Sequence, residues 1–236
     1  TYKNNISDKV SYKFQADMQN KGEAYYMYIK NAKVDLLCKS NTMVTIGLQG
    51  MNIFNIQEKN WGNRFIAKSA MDEYTWSSSA DLGIGLSQSF NNFSGSLLFT
   101  NGEGYKSEAT DSNEKISVQA MYGENRLDKN DGFNVGGIFS ILRYDEIVAV
   151  QDDSLTIHID ETVEGSNGGT STVMGLFVGY SGFGLRLGFE YNMGKDLNLD
   201  DYESSSSLMS VYLNYKLPFN IPIAKDLSIY GRFDTL

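Results

Sequence analysis

The feature that most constrains this chain is a two-residue alternation of apolar and polar side chains that returns along most of its length. Successive side chains of an extended strand point to opposite faces, so this period makes one greasy and one polar face, whereas helices repeat every three or four residues. Val10, Tyr12, Phe14, Ala16 and Met18 alternate with Ser11, Lys13, Gln15 and Asp17. The cleanest run sets Phe183, Leu185, Leu187, Phe189, Tyr191 and Met193 against Gly184, Arg186, Gly188, Glu190 and Asn192. Comparable runs cover 82–90, 93–100, 116–122, 133–141, 209–217 and 227–234. With noisier segments near 24–37, 43–51 and 172–180, the pattern predicts about eleven strands of roughly ten residues, the length a tilted strand needs to cross a bilayer.

The links between strands alternate in length. Short links fall near 38–42, 91–92, 124–131, 181–182 and 218–225, and long ones at 52–79, 101–114, 144–171 and 194–207, with 19–23 the one short member of the second set. In an up-and-down antiparallel chain, odd and even links collect at opposite ends, so the long links share one end, as in barrels with short periplasmic turns and longer external loops. Acid collects there too. Segment 144–171 carries Asp145, Glu146, Asp152, Asp153, Asp160, Glu161 and Glu164 without Lys or Arg, and a hairpin around 151–154 is expected in it.

The polar faces hold many small residues, while Tyr and Phe recur near strand ends, among them Tyr25, Tyr26, Tyr28, Phe90, Phe93, Phe133, Phe183 and Phe219. Both features suit a barrel with aromatic girdles at the membrane interfaces and a wet interior. The expected fold is therefore all-β, an antiparallel up-and-down transmembrane barrel. Alternation alone also allows a soluble or surface-attached β-sandwich, its apolar faces pressed together and its acidic loops binding a partner. One segment resists a plain strand. Alternation through 24–38 puts Asn31, Lys33 and Asp35 inside but sends Lys30 toward lipid, at roughly 2–4 kcal/mol near the midplane, so a bulge is expected near 29–31.

Composition excludes several classes. The chain has 20 basic and 29 acidic residues, a net charge of −9, which opposes general attraction to nucleic acid. The lone Cys38 rules out a disulfide framework and a cysteine-built zinc site. No continuously apolar window is long enough for a membrane-spanning helix. His158 is the single histidine and sits in an acidic loop with no Ser placed for a triad, so no enzyme is expected. Asp152–Asp153 and Asp200–Asp201 lack the spaced ligands of a calcium loop, and the reading calls for no metal or cofactor.

Residues 61–87, WGNRFIAKSAMDEYTWSSSADLGIGLS, with KNAKVDLL at 30–37 and NGEGY at 101–105, resemble the bacterial porins grouped with the phosphate-selective porin O and P type. The resemblance runs over nearly the whole chain in order. It implies a Gram-negative outer-membrane channel for passive diffusion of small hydrophilic solutes or ions, surrounded by outer-membrane lipid and able to form a homotrimer. It also implies that 52–79 folds into the lumen as a constriction loop, offering Glu58, Lys59, Arg64, Lys68, Asp72 and Glu73. The chain has five Arg, so the dense basic ladder of the phosphate-selective members is not evident.

Such barrels close with an even strand number, so the odd count implies a piece of a barrel of on the order of 16 strands. Thr1 to Lys3 would be the tail of a missing strand and 4–9 its turn. A water-filled pore needs charges in its wall rather than reactive groups. Alternation offers Lys13, Asp17, Lys33, Asp35, Asp81, Lys115, Arg186, Glu190, Lys216, Arg232 and Asp234, a nearly balanced set implying weak selectivity; any of them could equally pair across strands. On the same logic Leu187→Arg should block assembly, whereas Gly188→Arg should leave it intact and alter conductance.

Overall fold

A computed structural model describes residues 1–22, 24–39, 41–107, 113–144, 169–197, 205–218 and 227–236. The strands are β1 (Tyr2–Ser7), β2 (Val10–Lys21), β3 (Ala24–Lys39), β4 (Thr42–Gly50), β5 (Ala80–Phe90) and β6 (Phe93–Thr100). They continue as β7 (Asn113–Gly123), β8 (Gly132–Tyr144), β9 (Gly169–Gly182), β10 (Leu185–Lys195), β11 (Ser205–Lys216) and β12 (Ser228–Thr235). All twelve form one sheet in strict sequence order, and every neighbouring pair is antiparallel. Two short helices, α1 (Asn55–Trp61) and α2 (Ala70–Glu73), lie between β4 and β5.

The strand count is twelve rather than about eleven. The added strand is β1, whose polar sequence YKNNIS hides its period; it pairs Lys3 with Lys13 and Asn5 with Ser11, and the turn expected over 4–9 shrinks to Asp8–Lys9. The links 51–79, 101–112 and 145–168 share one end, as the sequence predicts, whereas the 217–227 link at the other end is longer than the 196–204 link expected to be long. The β9–β10 link is a two-residue turn at Phe183–Gly184, with φ of 55° and 77°. Positive φ at both centres matches the right-handed strand twist, normally at the benefit of Asn or Gly. Phe183 therefore leaves the strand face to which alternation assigned it. The acidic segment 145–168, where a hairpin is expected and His158 falls, lies outside the described residues, as do Asp200, Asp201, Glu203 and Phe219.

The bulge expected near Lys30 is present. Gln15 pairs with Asn31 and Ala16 with Ile29, so Lys30 is the extra residue. Its ammonium turns inward to Asp17 at 3.7 Å. The same shift inverts the parity of β3 before the bulge, which puts Tyr26 and Tyr28 on the inner side and moves Tyr25 and Met27 to the outside.

Burial is inside out. Leu82, Ile84, Leu86, Leu97, Phe99, Phe139, Leu176 and Val211 are exposed, whereas Thr45, Gln49, Ser117, Gln119, Asn134, Ser140, Asn192 and Ser210 are buried. A sheet in water would hide the first group under a second layer. The sandwich expectation fails here, because the strands form a single sheet with its apolar side uncovered.

The polar side is concave. Lys68 accepts a hydrogen bond from Arg232 of β12 at its carbonyl and lines one cleft with Asp17 of β2 and Lys30 of β3. In a flat sheet β2 and β12 would stand about 48 Å apart at about 4.8 Å per strand. The sheet is therefore curled as a barrel wall around segment 51–79. That segment carries a core: Met51, Ile53, Phe54, Ile56, Met71 and Trp76 cluster with Leu98, Met121, Ile138, Val173, Phe177 and Leu208 from the inner wall.

Candidate functional site

The segment runs from the long-link end down the inner wall and back. Its stalk is closed by the Met51 amide donating to the Ser79 carbonyl at 3.1 Å. Asn52 Nδ2 donates to Ser96 Oγ at 2.9 Å, and Gln119 Nε2 donates to the Asn52 carbonyl at 2.6 Å. Further down, Asn60 and Asn134 exchange reciprocal amide hydrogen bonds, each 2.8 Å. These pairs satisfy polar groups that burial would otherwise leave costly.

Helix α1 stops at Gly62, whose φ is +67°. A Cβ there would meet the Arg186 guanidinium within 2.6–2.8 Å, so the glycine serves both backbone and packing. Beyond it Arg64 bridges Glu58 and Asp72, the latter at 2.6 Å. Burial works against that guanidinium, yet its two carboxylates hold it above the usual arginine range. On the return, Ser77 Oγ receives a hydrogen bond from Lys115 Nζ at 2.9 Å.

The wall residues selected from the sequence divide into four groups. Lys13, Asp17, Lys33 and Asp35 stand on the inner face of β2 and β3; Lys13 lies directly opposite Lys33, whose Nζ meets Asp35 at 2.9 Å. Arg232 pairs with Asp234 at 2.8 Å and its guanidinium stacks 5.1 Å from the Trp61 ring centre. Arg186 and Lys216 line a cleft at the short-turn end. Asp81, Lys115 and Glu190 differ from expectation. They point inward but are buried, as is Asp35. Asp81 accepts the Gly102 and Gly104 amides at 2.8 and 3.0 Å, which makes it the anchor of the turn after β6.

Gly188 is a further correction. An added Cβ there would lie 2.1 Å from Tyr212 Cζ, so the position is filled by that ring and not open to water. In the loop, Glu58 and Lys59 are half-buried, Asp72 is buried, and Arg64, Lys68 and Glu73 are exposed.

Two clefts flank the segment. One, at the long-link end, has a volume of about 540 Å³ and brings Asp17, Lys30, Arg64, Lys68, Asp72 and Tyr105 together. Burial, then the Asp17 carboxylate, pushes the Tyr105 phenol up to about 12; its hydroxyl donates to Asp17 at 3.2 Å. The other, at the short-turn end, has a volume of about 610 Å³ between the tip of the segment, the β7–β8 link and β10–β12. In that link Arg126 grips Asp128 through Nε and Nη2 at 2.9 and 2.8 Å and holds its carboxyl below the usual range. Burial, with Arg126 nearby, lowers the Lys59 ammonium. Asn52, Asn60, Asn134, Gln119, Arg126 and Tyr105 went unselected because link residues and wall amides carry no spacing signal of their own.

No family model and no curated protein matches the chain. Among solved structures it is similar to Salmonella typhi OmpF in complex with daunomycin, at 12% identity over 92% of this chain and 76% of that one, with a TM-score of 0.44. It is also similar to a loop L8 deletion mutant of OmpT, an outer membrane protein of Vibrio cholerae, at 10% identity over 98% of this chain and 82% of that one, with a TM-score of 0.46. The fold itself rests on the strand pairing and the inverted burial.

Proposed function

We propose that the chain forms the wall of an outer-membrane porin, a water-filled passage for small hydrophilic solutes or ions. The observation that carries this reading is the uncovered apolar side of a curled sheet whose polar side surrounds an inserted segment. Hydrocarbon stabilises such an outer face, and a spanning sheet must satisfy its backbone between strands. The sequence resemblance to the phosphate-selective porin O and P type points the same way.

On this reading 52–79 is the constriction. The Arg64 bridge to Glu58 and Asp72, with Lys59, Lys68 and Glu73, sets the local field, while Lys13, Asp17, Lys33 and Asp35 form the facing wall. Asp17–Lys30, Lys33–Asp35 and Arg64–Asp72 neutralise each other, which favours weak ion selectivity. Passage calls for no catalytic group. The deciding experiment is reconstitution of purified protein into planar bilayers, where stepwise current increments that scale with salt are expected. Heat-modifiable, protease-resistant protein that gives no steps would refute the channel.

A further inference from the structure

The short-turn cleft holds something ion passage does not require. Phe65, at the tip of the inserted segment, is 86% exposed, and Tyr230, on the inner side of β12, is 48% exposed; both line the cleft. The water-facing side of a membrane barrel is normally polar, and wetting two aromatic rings forgoes the free energy that burial would supply. Tyr230 continues an aromatic row inward, edge-on to Trp61 at 6.4 Å, which in turn meets Tyr212 at 5.6 Å.

Planar polar groups surround these rings. Asn63, 5% exposed, accepts at Oδ1 from Arg186 Nη2 and from Asn214 Nδ2, both at 3.3 Å. That fixes its amide orientation, while Asn63 Nδ2 and Arg186 Nε, both buried, have no acceptor among the described residues. Asp128 adds a carboxylate acceptor to the same lining.

We propose that this cleft is a binding step for neutral saccharides passing through the pore, a proposal that rests on the porin reading. A sugar ring has an apolar C–H face, which suits the negative face of an aromatic ring, and a rim of hydroxyls that donate and accept at once. Those hydroxyls match the polar groups of the lining, Asp128, Lys129 and Asn214 among them. A small inorganic anion has no apolar face to occupy Phe65, and a purely apolar solute offers the polar lining nothing to bind. The volume of about 610 Å³ is that of ordinary small-molecule sites.

The test uses the full chain in planar bilayers, with potassium chloride current recorded while maltohexaose is added on either side. Saturable partial block is expected, and Phe65→Ala and Tyr230→Ala should each raise the half-blocking concentration about tenfold with salt conductance equal or larger. Phe65→Trp should preserve the block. A conducting channel that maltohexaose leaves unaffected, or block unchanged in both alanine variants, overturns the saccharide site and leaves the porin reading standing. If nothing conducts, the porin reading falls separately; calorimetric titration of maltohexaose into detergent-solubilised protein then decides the site, supporting it by heat lost in Phe65→Ala and overturning it by no heat.

Discussion

Met71→Ala tests whether the inserted segment is held by an apolar core rather than resting in open water. Met71, on α2, is 0% exposed and shares a cluster with Leu208 of β11, also 0% exposed. Truncating a fully buried Met costs about 2–5 kcal/mol through lost transfer and the cavity left behind. The twelve strands pair independently of this contact, so the loss falls on docking of the segment. At about 2.7 kcal/mol the undocked fraction rises about 100-fold, so a state present at about one part in ten thousand reaches about one per cent. Trypsin should cut faster at Lys59, Arg64 and Lys68, with the heat-modifiable fold retained, and, on the proposed porin function, open-channel current noise should grow accordingly. A cycle with Leu208→Ala should show coupling of about 0.5–3 kcal/mol, as expected for side chains in contact. Unchanged noise and cleavage in Met71→Ala, or strict additivity with Leu208→Ala, would refute the docked core.

Leu176→Arg, at a 68% exposed outer position in the middle of β9, should cost about 2–4 kcal/mol of folding into vesicles, read by urea titration of the heat-modifiable band. Ser11→Arg, whose side chain joins Asp35 on the inner wall, should fold like wild type; equal loss in both would contradict the assigned faces. Gly188→Arg should now reduce folded yield rather than only alter conductance, because Tyr212 occupies the space, and a wild-type yield would show that ring to be displaceable. The Tyr105 phenol, raised from 10.0 to about 12, favours the folded state fully below its unfolded value, and this contribution disappears as pH rises through about 12. Absorbance titration near 295 nm should find a late-ionising component that moves earlier in Asp17→Asn; a titration curve that Asp17→Asn leaves unchanged would refute the burial of Tyr105 beside Asp17.

Which side of each strand faces out was readable because lipid and water impose opposite demands on alternate residues, and Leu82, Phe139 and Val211 obey that rule in the structure. The bulge at Lys30 was readable for the same reason: unbroken alternation would have cost a charge in hydrocarbon, and one extra residue removes that cost. β1 reads only as a strand tail over Thr1 to Lys3, because its outer positions include polar residues such as Asn4.

What alternation could not reveal is the material lying against the inner face. Lys115, Glu190 and Gly188 have the same parity as Lys13, yet the first two are buried and the third is covered by Tyr212, while Lys13 remains partly open. Parity reports only one boundary of the wall. The other is set by contacts such as Asn60 with Asn134, 74 positions apart, and Asn63 with Asn214, 151 apart, which no local period encodes. A sequence-level trace of the inserted segment does exist, in the apolar residues that break the inner polar row: Leu98, Met121, Ile138, Val173 and Phe177. In a barrel wall whose inner side met only water they would be misplaced. Their presence over β6–β9, where the core forms, and the half-open polar row at Lys13, Gln15 and Lys33 over β2 and β3, place the dry half of the interior against the first set and the wet half against the second.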